Sequence, residues 1–340
     1  MRLQVRCLPQ QVMNKRHLEA LLKRILSIPT APFHEYHVRK QVIEELERIE
    51  NVTWKLDDYG NVIAQYRFGS KRAKYAFGAH MDHPGFVKNS SGEFEFLGGV
   101  PEATVDQCRE QIVDHGDFAV WNVEEFELRD GKVVARACDD LIGCVVMLAL
   151  FRELASKKVE VNVYALFTRA EEVGFLGAVA MAKNWPLPKG VRFVSLETSM
   201  PRGAVKMGKG PVLRVGDRLS VFDHEITASL EWLARKHGIP VQRALLDGGA
   251  CEASALQAYG IQSGGISVAL ENYHNVAENN EVAAEAVSFA DVSGLINLLV
   301  QLLADTESAK LSPYPMLRKR LAERARAMEK HRRSAERFFG

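Results

Sequence analysis

The chain has 340 residues, of which 47% are hydrophobic, so it can bury a substantial core as one large α/β domain or two smaller ones. Its 44 Lys and Arg residues nearly balance 43 Asp and Glu residues, which gives no reason to expect a nucleic acid as partner. Five scattered cysteines without a Cys-x-x-Cys pair argue against a disulfide framework, and with no apolar run of membrane-spanning length we expect a cytoplasmic protein without membrane contact.

The first part of the chain predicts helices and strands that lead to a histidine. Hydrophobic periodicity predicts two helices, a hairpin and a short strand, in that order, at residues 14–26, 35–49, 52–66 and 74–79. The strand is followed by His80, and Asp82 comes two residues later. On an extended chain these side chains point the same way, so the carboxylate of Asp82 can orient the imidazole of His80. A hydrogen-bonded structural histidine is the simpler alternative.

Residues 87–133 have a different sequence pattern from the chain on either side of them. Turn signals and several short strand candidates predict a small, mainly β insertion, which we interpret as a lid or a dimerisation element. The flanking residues 1–86 and 134–312 are interpreted as one catalytic domain. Residues 313–340 are predicted to form a basic helix, because nine Lys or Arg residues stand against three acidic residues from Leu317 onward.

In the second half of the chain, polar residues recur where predicted strands end. Asp139 and Asp140 begin an uncharged apolar helix, Glu171 and Glu172 follow a buried strand, and Glu197 and His274 each come after a further strand. Taken singly, such carboxylates also fit a helix cap or a solvated helix start. The other predicted elements are a hairpin at 205–215, a helix at 225–237, a strand at 241–245, a turn at 247–251 and a helix at 281–303.

The repeated placement of these residues indicates a common site. Ligands of open α/β sheets bind beyond the carboxyl ends of the strands, where these side chains stand. Imidazole and carboxylate ligands suit zinc, cobalt or manganese, and the set is large enough for two ions if one carboxylate bridges them. A pair of ions can polarise a carbonyl and lower the pKa of a shared water, which indicates a hydrolase.

The order of these motifs resembles the co-catalytic metallopeptidases of the M42, M28 and M20 families, with the M42 aminopeptidases nearest. The matching signatures are His80-Met81-Asp82, the pair Asp139-Asp140, Glu171-Glu172-Val173-Gly174 and Tyr273-His274. The resemblance covers residues 15–303, and its motifs are specific in combination. It implies an α/β fold with a mixed central sheet, helices on both faces and a small, mainly β insertion domain.

The resemblance also implies a metal ligand set. Asp139 would bridge two divalent ions, with His80 and Glu197 on one ion and Glu172 and His274 on the other. Glu197 stands where M42 members usually carry Asp, and its longer side chain should still reach the metal. Zinc is the first choice of metal, with cobalt or manganese as alternatives.

Two further residues receive catalytic roles from the resemblance. Glu171 would be the general base that takes a proton from the bridging water and passes it to the leaving amine. Asp82 would orient His80 through a hydrogen bond to its ring. The family's Asp139-Asp140 peptide bond is often cis.

The leading hypothesis is therefore a dinuclear metal aminopeptidase acting on peptides. We expect a homo-oligomer, a dimer or larger, although the short insertion argues against the dodecameric shells of the family. An M20-like carboxypeptidase or N-acyl amino acid amidohydrolase is the enzyme alternative. A metal-free binding protein on the same fold is the alternative from another class.

Overall fold

An eleven-stranded mixed sheet runs through the protein, and helices cover both of its faces. The computed structural model describes residues 14–305 and 313–336. Within those residues the helices are α1 Lys15–Leu26, α2 Tyr36–Glu47, α3 Glu102–Cys108, α4 Cys138–Ser156, α5 Leu176–Lys183, α6 His224–His237, α7 Glu252–Ala258, α8 Phe289–Ala304 and α9 Pro313–Glu336. This architecture confirms the predicted fold class.

The strands of the large and small sheets follow one another along most of the chain. They are β1 Val52–Leu56, β2 Val62–Phe68, β3 Tyr75–His80, β4 Gly85–Lys88, β5 Phe94–Leu97, β6 Ile112–Asp114, β7 Phe118–Trp121, β8 Phe126–Arg129, β9 Lys132–Ala135, β10 Val161–Thr168, β11 Arg192–Ser199, β12 Val212–Gly216, β13 Gln242–Leu245, β14 Ser263–Glu271 and β15 Glu285–Ser288.

Four neighbouring parallel strands form the centre of the large sheet. The strand order is β1-β2-β10-β3-β11-β14-β15-β9-β8, and β12 pairs with both β14 and β13. The strands β10, β3, β11 and β14 run parallel to one another, and Thr168 at the end of β10 pairs with His80 at the end of β3. Because their carboxyl ends meet at one edge, polar residues that follow these strands are brought close together.

The two faces of the sheet bury separate apolar clusters, which explains the alternation along the central strands. Phe77 of β3 and Val194 of β11 pack in the larger cluster with α1, α4 and α8. Ala76 and Phe193, one position earlier on each strand, pack on the other face with α5 and α7. Successive side chains of a strand point to opposite faces, so these buried strands are apolar on both.

A separate four-stranded antiparallel sheet lies mostly within the predicted insertion and begins at Gly85, two residues before it. Its order is β5-β4-β7-β6, and its core contains the buried rings of Phe86 and Trp121, 4.8 Å apart in a T-shaped contact. The next hairpin, β8 and β9, pairs instead with β15 and so extends the large sheet. The proposed boundaries at residues 87 and 133 remain a prediction, and only the last part of that span, β8 and the start of β9, is built into the large sheet.

Two predicted elements differ from the structure. The helix predicted over residues 281–303 begins only at Phe289, because residues 285–288 pair as β15 with β9 and β14. The hairpin predicted over residues 205–215 is wrong, since β12 pairs with β14 and β13. The carboxylate of Asp291 accepts the backbone N–H groups of Gly208 and Gly210, which holds the preceding segment as a loop.

The last helix, α9, is solvent-exposed over the part whose side chains are described. The side chains described for it, residues 317–335, are nearly all exposed, including those of Leu317 and Leu321. Within the described residues, no helix is both long enough and apolar enough to cross a membrane.

The start of α4 brings the two aspartates to the edge of the sheet. Asp139 and Asp140 have non-helical backbone angles, and the peptide bond between them is cis, as the family resemblance implies. Gly143 lies one turn further on and donates its N–H to the carboxylate of Asp140. A Cβ atom at Gly143 would lie 2.5 Å from Asp140 Oδ2 and 2.7 Å from Cβ of Ala79 on β3. Only glycine fits between α4 and β3 at this position.

We predict that Gly143→Ala destabilises the protein by about 1–3 kcal/mol, because the added methyl group must displace packed atoms. Alanine ordinarily stabilises a helix relative to glycine, so the sign of the effect is informative. Gly294→Ala in α8 is the matched control, since the nearest atom to its Cβ, Pro211 Cδ, is 3.4 Å away. Urea unfolding followed by circular dichroism measures both variants, and equal midpoints would contradict the proposed packing constraint.

Candidate metal centre

All five predicted metal ligands lie at one edge of the large sheet. His80 ends β3, Glu197 lies near the end of β11, and His274 follows β14 by three residues. Asp139 is in the first turn of α4, and Glu172 lies in the turn between β10 and α5. The side chains are almost completely buried, with exposed fractions of at most 6%. The fold thus brings these residues together from distant parts of the chain.

The carboxylate of Asp139 lies between the two histidines. Its Oδ1 atom is 3.3 Å from His80 Nε2, and its Oδ2 atom is 3.9 Å from His274 Nε2. On the His274 side, the same Nε2 atom is 3.2 Å from Glu172 Oε2. Each oxygen of Asp139 therefore faces a different histidine, which is the arrangement that a bridging carboxylate requires.

Two groups of three residues have metal-ligand geometry among the described residues. They are His80, Asp139 and Glu172, and His80, Asp140 and Glu197, with ligand atoms within 4.8 Å of one another in each group. Asp140 was not predicted as a ligand. One of its oxygens accepts the N–H of Gly143, and the other has no hydrogen-bond partner within the described part of the chain.

The turn that carries Glu171 and Glu172 is fixed by Asp82. Its two carboxylate oxygens accept the backbone N–H groups of Glu171 and Glu172, at 3.0 and 3.1 Å. His80 Nδ1 lies 3.0 Å from the carbonyl oxygen of Asp82 and 3.6 Å from its carboxylate. Asp82 therefore contacts His80 mainly through its backbone, while its carboxylate positions the glutamate pair.

The turn between β10 and α5 is held in an unfavourable conformation for its sequence. Ala170 has a left-handed φ of 52°, which non-glycine residues adopt only when their surroundings require it. The buried carboxylate of Glu35 accepts the N–H of Ala170 and pairs with the guanidinium of Arg169. Glu171 and Glu172 therefore precede α5, and their side chains face the site.

A buried carboxylate that the sequence did not reveal connects two of the predicted ligands. Glu285 of β15 accepts the backbone N–H of Asp139 at 2.9 Å and that of His274 at 2.8 Å. It is completely buried. His274 has a left-handed φ of 57°, so its backbone also depends on such contacts.

His83 is a second residue whose role the sequence did not reveal. Its Nδ1 atom lies 2.6 Å from the carbonyl oxygen of Asp139, and its Nε2 atom lies 3.0 Å from Oδ1 of Asn275. The amide nitrogen of Asn275 is directed to the carbonyl oxygens of Arg136 and Ala283. The ring of His83 thereby links the backbone of Asp139, a predicted ligand, to Asn275, the residue that follows His274.

Burial and mutual repulsion act strongly on the carboxylates of this site. Burial raises the pKa of Glu197 to about 8 and raises that of Glu171 well above its ordinary value. Burial would lower the pKa of His274, but the carboxylate of Glu172 raises it to about 9. Since buried carboxylates ionise only beside compensating positive charge, the protein alone does not balance the charge of this site.

A further observation, independent of the sequence motifs, indicates that these side chains suit divalent metal ions. Oδ1 of Asp139 and Oε1 of Glu172 are buried and have no hydrogen-bond partner among the residues described. Buried carboxylate oxygens without a partner are costly, and metal coordination is one way to satisfy them. Two imidazoles with several carboxylates are ligands suited to zinc, cobalt and manganese.

A cavity of about 130 Å³ opens onto these side chains. Its lining includes Glu171 and four of the five predicted ligands, together with Tyr273, Leu246 and Met200. Two arginines, Arg202 and Arg214, line the same cavity. A small substrate group would thus meet carboxylates, apolar surface and guanidinium groups within one pocket.

Comparison with known proteins places this chain in a class of metal-dependent peptidases. The sequence model of the M42 glutamyl aminopeptidase family matches residues 102–288, more than half of the chain. The chain therefore belongs to the M42 peptidase family, as the motifs suggested, and it is a peptide hydrolase. The family is metal-dependent.

The chain is also similar to individual proteins over most of their length. A protein of Acetivibrio thermocellus, provisionally named an aminopeptidase, is 27% identical, with 85% of this chain covering 99% of that protein. The TET1 peptidase of Pyrococcus horikoshii has a TM-score of 0.70 at 23% identity, covering 85% of this chain and 99% of that one. An aminopeptidase of Desulfurococcus kamchatkensis has a TM-score of 0.71 at 21% identity, covering 86% and 96%.

We predict that Glu285→Gln weakens divalent metal binding by roughly 10–100-fold, the range typical of residues that orient metal ligands. The amide retains one acceptor oxygen but places an NH₂ group against a backbone N–H, so one of the two ligands loses its anchor. Competition with a chromophoric chelator measures the affinity. Glu278→Gln, at an exposed position in the segment that precedes β15, is the control, and equal affinities for both variants would contradict the role.

Proposed function

We propose that this protein is an aminopeptidase that removes amino-terminal residues from peptides with the help of two divalent metal ions. The observation that carries the proposal is the position of the Asp139 carboxylate, whose two oxygens face different histidines. His80 and Glu197 would hold one ion, Glu172 and His274 the other, and Asp139 both. Zinc is the proposed metal, with cobalt and manganese as alternatives.

When bound, such ions polarise the scissile carbonyl and lower the pKa of a bound water. The ligand residues then have one task, which is to fix the positions of the ions. Glu285 and His83 support that task, because each contacts the backbone of a ligand. His83 also contacts the side chain of Asn275, the residue after His274. Asp82 supports it for Glu172 by accepting its N–H.

Glu171 is proposed as the general base. Its Oε2 atom lies 3.9 Å from His80 Nε2, so the carboxylate lies beside a predicted metal ligand without belonging to the predicted ligand set. Glu171 would take a proton from the attacking water and transfer it to the nitrogen of the departing amine. A general base works best with a pKa near the operating pH, and burial raises the pKa of this carboxyl in that direction.

The proposed partners are peptides and further copies of the same chain. The TET1 peptidase is described as assembling into a tetrahedron or a large octahedral shell, and another related structure is described as a dodecamer. We propose that this chain forms a homo-oligomer, a dimer or larger.

We predict that Glu171→Gln retains both metals and lowers kcat by at least ~10²-fold on amino-acid anilides, because proton transfer is lost while the ligands remain. Glu172→Gln is the matched comparison, and it should lose metal from the His274 side. Elemental analysis of the purified variants gives the metal content. A Glu171→Gln enzyme with most of its wild-type rate would remove Glu171 from the mechanism.

Exhaustive dialysis against a chelator should abolish hydrolysis, and added zinc, cobalt or manganese should restore it with two ions per chain. A stoichiometry of one ion would contradict the bridging role of Asp139. Hydrolysis of N-acyl amino acids, with none of amino-terminal amides, would instead favour the M20-like amidohydrolase. If the protein binds no metal when the ions are added back, that result would instead support the alternative of a metal-free binding protein with this fold.

A further inference from the structure

Tyr273 lines the cavity that also contains Glu171 and four of the five predicted metal ligands. Its hydroxyl lies beside the turn that carries Gly249, which lines the same cavity. A Cβ atom on Gly249 would lie 3.9 Å from this hydroxyl and within 4 Å of no other described atom outside residues 248–250. The space between the turn and the hydroxyl is therefore open to a substrate group.

The ring of Tyr273 is held against a predicted metal ligand. Its centroid lies 3.7 Å from that of the His274 ring, and the two ring planes differ by 24°, so the rings are stacked. The tyrosine also packs against the larger apolar cluster of the protein. These contacts fix the ring relative to the metal centre and direct its polar end to the cavity.

The backbone on both sides of Tyr273 is held in an unfavourable conformation. Asn272, His274 and Asn275 have left-handed φ angles of 54°, 57° and 63°. Residues other than glycine keep such angles only where their surroundings require them. Here the amide of Asn272 donates to the backbone just before β15, and Glu285 accepts the N–H of His274. The position of the Tyr273 hydroxyl is therefore set before a substrate enters.

The hydroxyl of Tyr273 is a hydrogen-bond donor without an acceptor in the described part of the chain. A tyrosine hydroxyl is protonated at neutral pH in any case. Burial raises the pKa of Tyr273 further, as do the carboxylates of Asp139 and Glu172. The protonated hydroxyl can donate one hydrogen bond, and a group that enters the cavity can accept it.

We propose that Tyr273 is a catalytic residue that donates a hydrogen bond to the scissile carbonyl oxygen as negative charge develops there. The inference rests on the proposed aminopeptidase function. When the water oxygen bonds to the carbonyl carbon, the π electrons of the C=O bond move to its oxygen, and Glu171 takes the water proton. When the C–N bond breaks, the C=O bond forms again and the proton passes to the departing nitrogen. Tyr273 keeps its own proton throughout and stabilises the charged oxygen.

The amino group of the substrate is the other polar group near the scissile bond. An ammonium group has only donors, so it would use the tyrosine oxygen as an acceptor. The carboxylates in the cavity already supply many acceptors for it. A developing oxyanion needs donors instead, and a hydroxyl fixed in place supplies one without reorganisation. The carbonyl oxygen is therefore the partner that the cavity favours.

The test uses Tyr273→Phe in the metal-loaded enzyme, because phenylalanine retains the ring that stacks on His274 and removes only the hydroxyl. On the fastest of leucyl, alanyl, glutamyl and lysyl anilides, we expect kcat to fall about 10²–10³-fold, as on removal of an oxyanion donor. KM and the metal content from elemental analysis should stay nearly unchanged. Tyr259→Phe is the control, since Tyr259 is half-exposed after α7 and does not line the cavity.

A binding measurement identifies the group that the hydroxyl meets. Calorimetric titration compares the aminophosphonic acid analogue of the preferred amino acid, whose acid group is tetrahedral and anionic, with the alkylamine that lacks the acid group. Tyr273→Phe should weaken binding of the phosphonate roughly 10–100-fold, the worth of a hydrogen bond to a charged group. The affinity for the alkylamine should stay the same in wild type and variant.

Three results would overturn the role of Tyr273 and leave the aminopeptidase standing. They are a wild-type kcat in Tyr273→Phe, a loss of rate that follows a loss of metal, and an equal loss of affinity for the phosphonate and the alkylamine. The last result would assign the hydroxyl to the amino group. Absence of hydrolysis by the wild-type protein would count against the proposed function instead, and the phosphonate titration, which requires no turnover, would still decide whether Tyr273 meets a tetrahedral anion.

Discussion

The structure depends on the burial of several carboxylates at the carboxyl edge of four parallel strands. Asp139, Glu171 and Glu197 are buried, and each has a carboxylate oxygen within 4.8 Å of a ring nitrogen of His80. Such groups repel one another and lose hydration, which is why burial raises the pKa of Glu171 and of Glu197. The site is stable with all of them ionised only if cations compensate them. The repulsion that makes the site costly without cations would thus favour the binding of metal ions.

A second set of carboxylates holds the first set in place without facing the cavity. Glu285, Asp82 and Glu35 each accept backbone N–H groups from the segments that carry the predicted ligands or the base. Backbone contacts of this kind fix the main chain, so the side chains that project from it start from defined positions. The left-handed conformations of Ala170 and His274 are maintained by these contacts.

The site residues at strand ends could be predicted from the sequence because the pattern that marks them is local. An apolar strand followed by a carboxylate or a histidine can be recognised within ten residues, and parallel strands converge at one edge. Glu285 could not be found this way, since β15 exists only through its pairing with β9 and β14 and the segment had been predicted as helix. Arg214 lay in a predicted hairpin, and nothing local indicated that it would be buried. Contacts between distant segments determine both cases.

The charge balance of the site depends on whether metal is bound. Three of the five predicted ligands are carboxylates, so two divalent ions would leave the ligand set with a small net positive charge. Glu171, when ionised, offsets that charge. The buried carboxylates that repel one another without metal would therefore be compensated by it, so that their ionisation and metal binding favour each other.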